Sequence, residues 1–119
     1  MKMALLVDDS KFMRGVLTSI LKNHEFNICE ASNGVELVTA YEEYKPDIVL
    51  LDIVMHEKNG IDGLRDLINK HPEAKVVMCS AMGQKIFVLE ALKIGAKDFI
   101  VKPIKAGNVL EVVEKVLAD

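Results

Sequence analysis

The chain has 119 residues, 50% of them hydrophobic and 28% charged, with a formal net charge of −3. This length suits one domain of about 100–200 residues, and the apolar content excludes a disordered chain. The apolar runs are too short to span a membrane, and acids end the first run too early for a signal peptide. The mildly acidic balance and the absence of Trp argue against a nucleic-acid-binding surface. We therefore expect a monomeric, cytoplasmic protein with a single domain over residues 1–119.

Short apolar runs predict five strands, at residues 3–7, 27–31, 48–51, 75–79 and 99–101. Continuous apolar runs of this length are typical of strands that are buried on both faces of a parallel sheet. Two of the runs contain a cysteine, Cys29 and Cys79. Because neither cysteine has the spacing of a metal site, we interpret both as buried thiols of a reducing compartment.

Each interval between the strands shows helical periodicity with recognisable start and stop residues. Ser10 is a favourable N-cap for the first helix, Pro46 ends the second, and Gly95 is suited to end the fourth. The first helix is predicted to begin at Ser10 and the second near Asn33. The third is predicted over about 61–70 and the fourth over about 84–94. The fifth is indicated by an apolar stripe of Val109, Val112, Val113, Val116 and Leu117.

The alternation of five strands with five helices predicts an α/β fold, an open parallel sheet with helices on both faces. In such sheets, ligands bind beyond the carboxyl ends of the strands. Four of the predicted strands are followed there by polar residues, which are Asp8 and Asp9, Asp52, Ser80, and Lys102. We therefore expect these side chains to meet at one edge of the sheet.

The chemistry of these residue types indicates phosphoryl transfer. Three carboxylates in one crevice, from Asp8, Asp9 and Asp52, favour a hard divalent cation such as Mg²⁺. A carboxylate beside a metal-held phosphoryl donor can form an aspartyl phosphate, and because it is ionised at pH 7 it needs no general base. Lys102 and Ser80 supply a positive charge and a hydroxyl for the transferred group. We assign the phosphoryl group to Asp52, which follows the middle strand, and the metal to Asp8 and Asp9.

At these residues the sequence resembles the receiver domain of two-component response regulators, and in particular its single-domain chemotaxis members. The resemblance covers the whole chain and is strongest at residues 5–10, 46–55, 59–60, 79–83 and 95–103. It implies a flavodoxin-like sheet with the strand order 2-1-3-4-5. It also implies a switch that accepts a phosphoryl group from a histidine kinase with Mg²⁺, and that catalyses only its own phosphorylation and dephosphorylation. Its output would be altered binding to a protein such as a flagellar motor component.

The resemblance also implies roles for individual residues around the metal. Asp52 matches the phospho-acceptor, Asp8 and Asp9 match the acid pair, and Lys102 matches the lysine that binds the phosphoryl group. Val54 matches the residue that gives the metal a backbone carbonyl.

For the switch, the resemblance assigns Ser80 the hydroxyl that moves toward the phosphoryl group. It assigns Phe99 the aromatic ring that then turns inward. The apolar side chains of Val54 and Met82 would exclude hydrolytic water and slow self-hydrolysis.

The fourth helix carries more apolar residues than one buried stripe requires. Ile86, Phe87 and Leu89 cannot all face the sheet together with the stripe. Either they are exposed apolar residues of an ordinary kind, or Ile86 and Phe87 form a partner-binding face with Phe99.

The chain departs from the family four residues after Asp52, where His56 replaces the usual proline. Either His56 is a solvated loop residue, or it contacts the phosphoryl group or the water of the metal. In the second case the lifetime of the phosphoryl group would depend on pH near about 6–7.

Other functions stay open as alternatives. The chain could be an intermediate of a phosphorelay, or a receiver domain cut from a longer regulator. A metal-dependent phosphatase that forms an aspartyl phosphate would need an Asp-x-Asp motif after the first strand, where Asp8 and Asp9 are instead adjacent. A flavin or nucleotide carrier would need a Gly-rich or Ser/Thr-rich phosphate loop at the same place.

Overall fold

The computed structural model describes residues 1–55 and 58–119, and within these ranges five strands alternate with five helices. The strands are β1 (Met3–Val7), β2 (Asn27–Ala31), β3 (Ile48–Asp52), β4 (Val76–Ser80) and β5 (Asp98–Val101). The helices are α1 (Lys11–Lys22), α2 (Leu37–Tyr44), α3 (Gly60–Lys70), α4 (Lys85–Ile94) and α5 (Ala106–Ala118). Among the described helices, none has both the length and the apolar character needed to cross a membrane.

All five strands are parallel and lie in the order β2-β1-β3-β4-β5, which confirms the α/β fold and the strand order implied by the resemblance. β3 is the middle strand, and its last residue, Asp52, is paired in register with Cys79 of β4. Because the strands are parallel, their carboxyl ends meet at one edge, where the polar residues are predicted to lie.

Successive residues of each strand point to opposite faces of the sheet, and each face has its own hydrophobic core. The core under α2, α3 and α4 contains Leu5, Val49 and Leu51 of the inner strands. The core under α1 and α5 contains Leu6 and Leu50, which alternate along the strands with the residues of the first core. The central strands therefore form a platform that is covered by helices on both sides.

The expectation that all five strands are buried on both faces is correct for β1, β3 and β4 and wrong for β2 and β5. In β5 only Ile100 is buried, while Phe99 and Val101 are exposed on the side of α4. The reason is the position of β5 at an edge of the sheet, where α4 packs against β4 and leaves the outer strand open. Asn27 and Glu30 of the other edge strand, β2, are exposed for the same reason.

The predicted helix ends agree with the structure, except at the start of α2. Ser10 Oγ accepts a hydrogen bond from the backbone N–H of Met13, which caps α1 as predicted. The start predicted near Asn33 is wrong, because α2 begins at Leu37. Asn33 Oδ1 accepts a hydrogen bond from the backbone N–H of Glu36, and this contact holds a separate turn before the helix.

Candidate functional site

Three carboxylates lie together at the carboxyl edge of the sheet, as the sequence predicts. Asp8 and Asp9 directly follow β1, and Asp52 ends the neighbouring strand β3. One carboxylate oxygen from each residue lies within 4.8 Å of the other two. Asp8 and Asp52 are buried, with exposed fractions of 3% and 7%. A set of oxygen ligands at this spacing is suited to a hard divalent cation, so the cluster could hold a metal.

The crowding of the acids changes the proton affinity of Asp52. Burial and then the neighbouring Asp8 carboxylate raise the pKa of Asp52 to about 6, whereas Lys102 and the backbone N–H of Val54 lower it. At pH 7 the Asp52 carboxylate is therefore mostly ionised, although it lies beside another anion. A bound cation would relieve this repulsion, which is a second reason why the residues fit a metal.

Lys102 brings a positive charge to the two buried acids. Its Nζ lies 3.4 Å from Asp52 Oδ1 and 3.7 Å from Asp8 Oδ2. Burial lowers the pKa of Lys102, but the carboxylates of Asp52 and Asp8 together raise it above its ordinary value. The ammonium group of Lys102 therefore stays charged next to Asp52.

The backbone of Lys102 is held beside β4. Its N–H donates to the Ser80 carbonyl at 2.7 Å, and the peptide bond between Lys102 and Pro103 is cis.

Ser80 and Phe99 line one cavity of about 290 Å³ between α4 and β5. Ser80 ends β4 and is 1% exposed, and Phe99 is 38% exposed. The other residues of the cavity are mostly apolar and include Met82, Leu92 and Val101. This cavity connects the rim of the sheet with the outer surface of β5.

The structure separates some residues that the sequence grouped together. Phe87 lines a different cavity, of about 360 Å³, in which Val54 also lies, whereas Phe99 belongs to the cavity beside β5. Ile86 is exposed, so the predicted partner face of Ile86, Phe87 and Phe99 lies around α4 rather than in one groove. Val88 and Ala91 of α4 are buried and Leu92 is partly buried against the same core, so these three residues form the stripe of α4 that faces the sheet. His56 lies outside the described residues.

Gly60 has a structural role at the site that the sequence analysis missed. Its backbone N–H donates to the Ile53 carbonyl at 2.7 Å, and a Cβ at this position would lie 2.0 Å from the carbonyl oxygen of Asp52. Only glycine therefore allows α3 to begin so close to the backbone of Asp52. The signal was the Asn59-Gly60 pair, in which Asn59 Oδ1 caps α3 by accepting from the N–H of Asp62.

Arg14 is a second residue that was missed. Its Nη1 donates to the carbonyl oxygen of Asp8 at 2.6 Å, and its Nε donates to Glu30 Oε1 at 2.9 Å. Local sequence patterns indicate this contact only weakly, because Arg14 and Glu30 become neighbours only when β2 pairs with β1.

The two cysteines are buried, as predicted. Burial raises the pKa of Cys79 to about 12, and burial raises that of Cys29 to about 11. Both thiols therefore stay protonated near neutral pH, and protonated thiols are poor nucleophiles and metal ligands.

Known proteins are similar to the chain over almost its whole length. Residues 4–114 match the model of the response regulator receiver domain. Chemotaxis protein CheY of Listeria monocytogenes is 54% identical over 112 residues, which are 93% of this chain and 94% of that protein. Chemotaxis protein CheY of Thermotoga maritima is 49% identical over 116 residues, 97% of each chain. The crystal structure of the receiver domain of NtrX from Brucella abortus has a TM-score of 0.92 at 32% identity and covers 97% of this chain and 98% of that one.

Proposed function

The chain belongs to the response regulator receiver domain family, and we propose that it acts in chemotaxis as a phosphorylation switch, with residues 1–119 forming one receiver domain. It is a phospho-acceptor of the CheY type rather than an enzyme that turns over a separate substrate. The observation that carries the proposal is the convergence of the Asp8, Asp9 and Asp52 carboxylates with Lys102 Nζ at one edge of the sheet. Each of these groups has a distinct part in accepting a phosphoryl group.

We propose that the cluster holds Mg²⁺ through Asp8, Asp9, Asp52 and the backbone carbonyl of Val54. The support is the set of three carboxylate oxygens within 4.8 Å of one another and the raised pKa of Asp52. When bound, Mg²⁺ would neutralise charge on the carboxylates and on the phosphoryl donor. The negatively charged donor could then approach a site that otherwise repels it.

In the proposed reaction an oxygen of the Asp52 carboxylate attacks the phosphorus atom of a phosphohistidine. An O–P bond forms while the P–N bond breaks, and the electron pair leaves with the donor imidazole, which takes up a proton from solvent. Because the pKa of Asp52 is about 6, the attacking carboxylate is mostly ionised at pH 7 without a general base. Lys102 Nζ, at 3.4 Å from Asp52 Oδ1, is near enough to neutralise charge on the transferred group.

We propose that the acyl phosphate changes the surface of the protein through Ser80 and Phe99. The Ser80 hydroxyl would hydrogen-bond to the new phosphoryl oxygens, and the Phe99 ring would turn into the cavity of about 290 Å³ that both residues line. The ring is 38% exposed before this movement, so turning inward removes apolar area from water. The face around Ile86, Phe87 and Phe99 would then bind a target.

The lifetime of the phosphoryl group is proposed to depend on Val54 and Met82. Both side chains are apolar and exposed, and each lines a cavity next to the site. We expect Val54→Asn and Met82→Glu to speed the dephosphorylation that the domain catalyses on itself. An unchanged rate in both variants would remove water exclusion from the account.

The proposed donor is a histidine kinase of chemotaxis related to CheA, and the proposed target is a component of the flagellar motor switch, with the domain acting as a monomer in the cytoplasm. The support is the similarity to the two chemotaxis proteins. Binding measured with and without a phosphoryl mimic, against motor proteins and against histidine phosphotransfer proteins, tests this choice. Mimic-dependent binding to a phosphotransfer protein alone would favour a phosphorelay.

Phosphorylation itself can be tested by intact-mass spectrometry after incubation with acetyl phosphate and Mg²⁺. We expect one phosphate adduct on the native protein and on Asp62→Asn, which changes an exposed acid in the first turn of α3. We expect no adduct on Asp52→Asn or in the absence of Mg²⁺. An adduct of equal yield on Asp52→Asn would contradict the proposed acceptor.

A further inference from the structure

The guanidinium group of Arg14 connects three parts of the molecule at the acid cluster. Arg14 lies in the first turns of α1, and its Nη1 donates to the Asp8 carbonyl at the end of β1. Its Nε donates to Glu30 of β2 at 2.9 Å. The side chain of Arg14 is 16% exposed and that of Glu30 is 49% exposed, so the hydrogen bond to the Asp8 carbonyl is better shielded from water than the one to Glu30.

The hydrogen bond to the Asp8 carbonyl restrains both acids of the pair. This carbonyl belongs to the planar peptide group that joins Asp8 to Asp9. A rotation of that peptide group changes ψ of Asp8 and φ of Asp9, the two backbone angles that lie between the acid side chains. Fixing the carbonyl oxygen therefore restrains the backbone that carries the two acids, and with it their relative placement.

The other polar groups of Asp8 are also engaged. The backbone N–H of Asp8 donates to the Ala31 carbonyl at 3.3 Å, and Asp8 Oδ1 accepts from the backbone N–H of Ser10 at 2.8 Å. With the contact from Arg14, the amide, the carbonyl and the carboxylate of Asp8 are all held. Such restraint matters here because the acids repel one another and would otherwise turn apart.

We propose that Arg14, oriented by Glu30, is a positioning residue that holds Asp8 and Asp9 in the arrangement that binds the cation. This inference rests on the proposed function, which supplies the cation, Mg²⁺. Groups behind the ligands of a metal commonly set its affinity in this way. Arginine is suited to the task because its planar fork donates to two acceptors in fixed directions, whereas the ammonium of lysine is a single point of charge.

The positioning role and a simple charge effect predict opposite results. Arg14 is a cation near the metal site, so if it acted only through its charge, its removal would make the cluster more negative and strengthen the binding of Mg²⁺. If it positions the acids, its removal weakens binding although a positive charge has been lost. The direction of the change in affinity therefore separates the two explanations.

The experiment measures the apparent Kd for Mg²⁺ alone, from the rise of Tm with Mg²⁺ concentration, in the native protein and its variants. We expect Arg14→Gln to raise this Kd about tenfold, Arg14→Lys to raise it less, and Glu30→Gln to raise it less than Arg14→Gln. The matched control is Lys11→Gln, which removes a positive charge from an exposed position at the start of α1. This control is expected to leave the Kd unchanged or to lower it.

A second readout separates positioning from general damage to the fold. With Arg14→Gln, the rate of phosphorylation by acetyl phosphate should be low at limiting Mg²⁺ and return toward the native rate at saturating Mg²⁺. An unchanged or lower Kd in Arg14→Gln, or a Kd fully restored in Arg14→Lys, would overturn the inference while leaving the proposed function intact. If Arg14→Gln does not fold, the test uses Arg14→Lys, for which charge alone predicts an unchanged Kd and positioning predicts a raised one. If Mg²⁺ does not shift the Tm of the native protein, the proposed function fails, and the inference fails with it.

Discussion

The middle strand β3 and the edge strand β5 both serve the site, but they are packed in opposite ways. Every residue of β3 is buried, and the strand ends in Asp52, one of the crowded carboxylates. In β5 only Ile100 is buried, and Phe99 and Val101 are each more than a third exposed beside a cavity. The strand that carries Asp52 is thus covered on both faces, while the strand that carries Phe99 has open space beside it.

This difference puts the proposed phospho-acceptor, Asp52, on a covered strand and the proposed switch residue, Phe99, on an open one. A charge held on a covered strand cannot move away from its neighbours, so repulsion among the acids is retained until a cation or a phosphoryl group changes it. A half-exposed side chain beside a cavity can change position at small cost, because few packed contacts are broken. The comparison therefore predicts large effects of changes in β3 and small effects of changes in β5.

The largest expected effect is on core packing. Leu50→Ala in β3 should lower the free energy of unfolding by about 3–4 kcal/mol, because the removed side chain is buried and leaves a cavity that solvent does not fill. Val101→Ala in β5 should lower it by about 1 kcal/mol or less, because that side chain is already partly exposed. Urea unfolding measures both values. Equal losses in the two strands would break the comparison.

The next effect is an increase in stability when Asp52 loses its charge. The pKa of Asp52 is about 6 in the folded protein, above its ordinary value of 3.8, so the folded state binds the proton more tightly than the unfolded state. The protonated carboxyl stabilises the folded protein in full below about pH 4, and this stabilisation is lost as the pH rises through about 6. Metal-free Asp52→Asn should therefore be more stable than the native protein by about 3 kcal/mol at pH 7, with no such difference near pH 4.

Urea unfolding of both proteins over this pH range, without divalent cations, measures the difference. The control is Glu111→Gln, which removes an exposed charge on α5. A stability difference between Asp52→Asn and the native protein that is the same at pH 4 and pH 7 would show that the raised pKa is not its cause.

A smaller loss is expected when the cation beside Asp52 is removed. Lys102→Gln leaves the carboxylates of Asp52 and Asp8 without their ammonium neighbour, and we expect it to destabilise the metal-free protein by about 2 kcal/mol at pH 7. The loss should shrink below pH 6, because Asp52 is then protonated and needs no positive partner. Thermal unfolding at several pH values tests this, with Lys105→Gln as the exposed control. A loss that grows as the pH falls would contradict the prediction.

The smallest predicted effect concerns a buried polar group that has no chemical role in the account. Thr18 Oγ1 is buried and has no hydrogen-bond partner among the described residues. Thr18→Val keeps the shape of the side chain and removes the unsatisfied oxygen, so we expect a gain of about 1 kcal/mol. Unlike Asp52→Asn, this gain should not depend on pH. A loss of stability in the urea unfolding of Thr18→Val would show that the hydroxyl is needed.

The sequence predicts β3 and its acid well, because patterns of burial and polarity are local. The apolar residues before Asp52 indicate a covered strand, and the parallel order then brings Asp8, Asp9 and Asp52 to one edge. The edge position of β5 follows from the resemblance, but the incomplete cover by α4 depends on helix packing that no local pattern records. For that reason the exposure of Val101 was not predicted, and the exposure of Phe99 was expected only where the ring was assigned to a partner-binding face.

The missed parts of the site are contacts between distant segments. The link from Arg14 to Glu30 and to the Asp8 carbonyl requires the pairing of β1 with β2 and the angle at which α1 leaves the sheet. The close approach of Gly60 to the Asp52 carbonyl likewise depends on where α3 begins. The sequence predicts which residue types meet at the rim, but their precise support is set by tertiary geometry.

The central claim is that Asp52 carries the phosphoryl group. It is tested most directly by treating the phosphorylated protein with borohydride, which reduces an aspartyl phosphate to homoserine, and then sequencing its peptides by mass spectrometry. We expect homoserine at position 52, formed only when acetyl phosphate and Mg²⁺ were both present, and unchanged aspartate at Asp8 and Asp9. Reduction at Asp8 or Asp9, or a phosphate that resists borohydride on Ser80, would contradict the account.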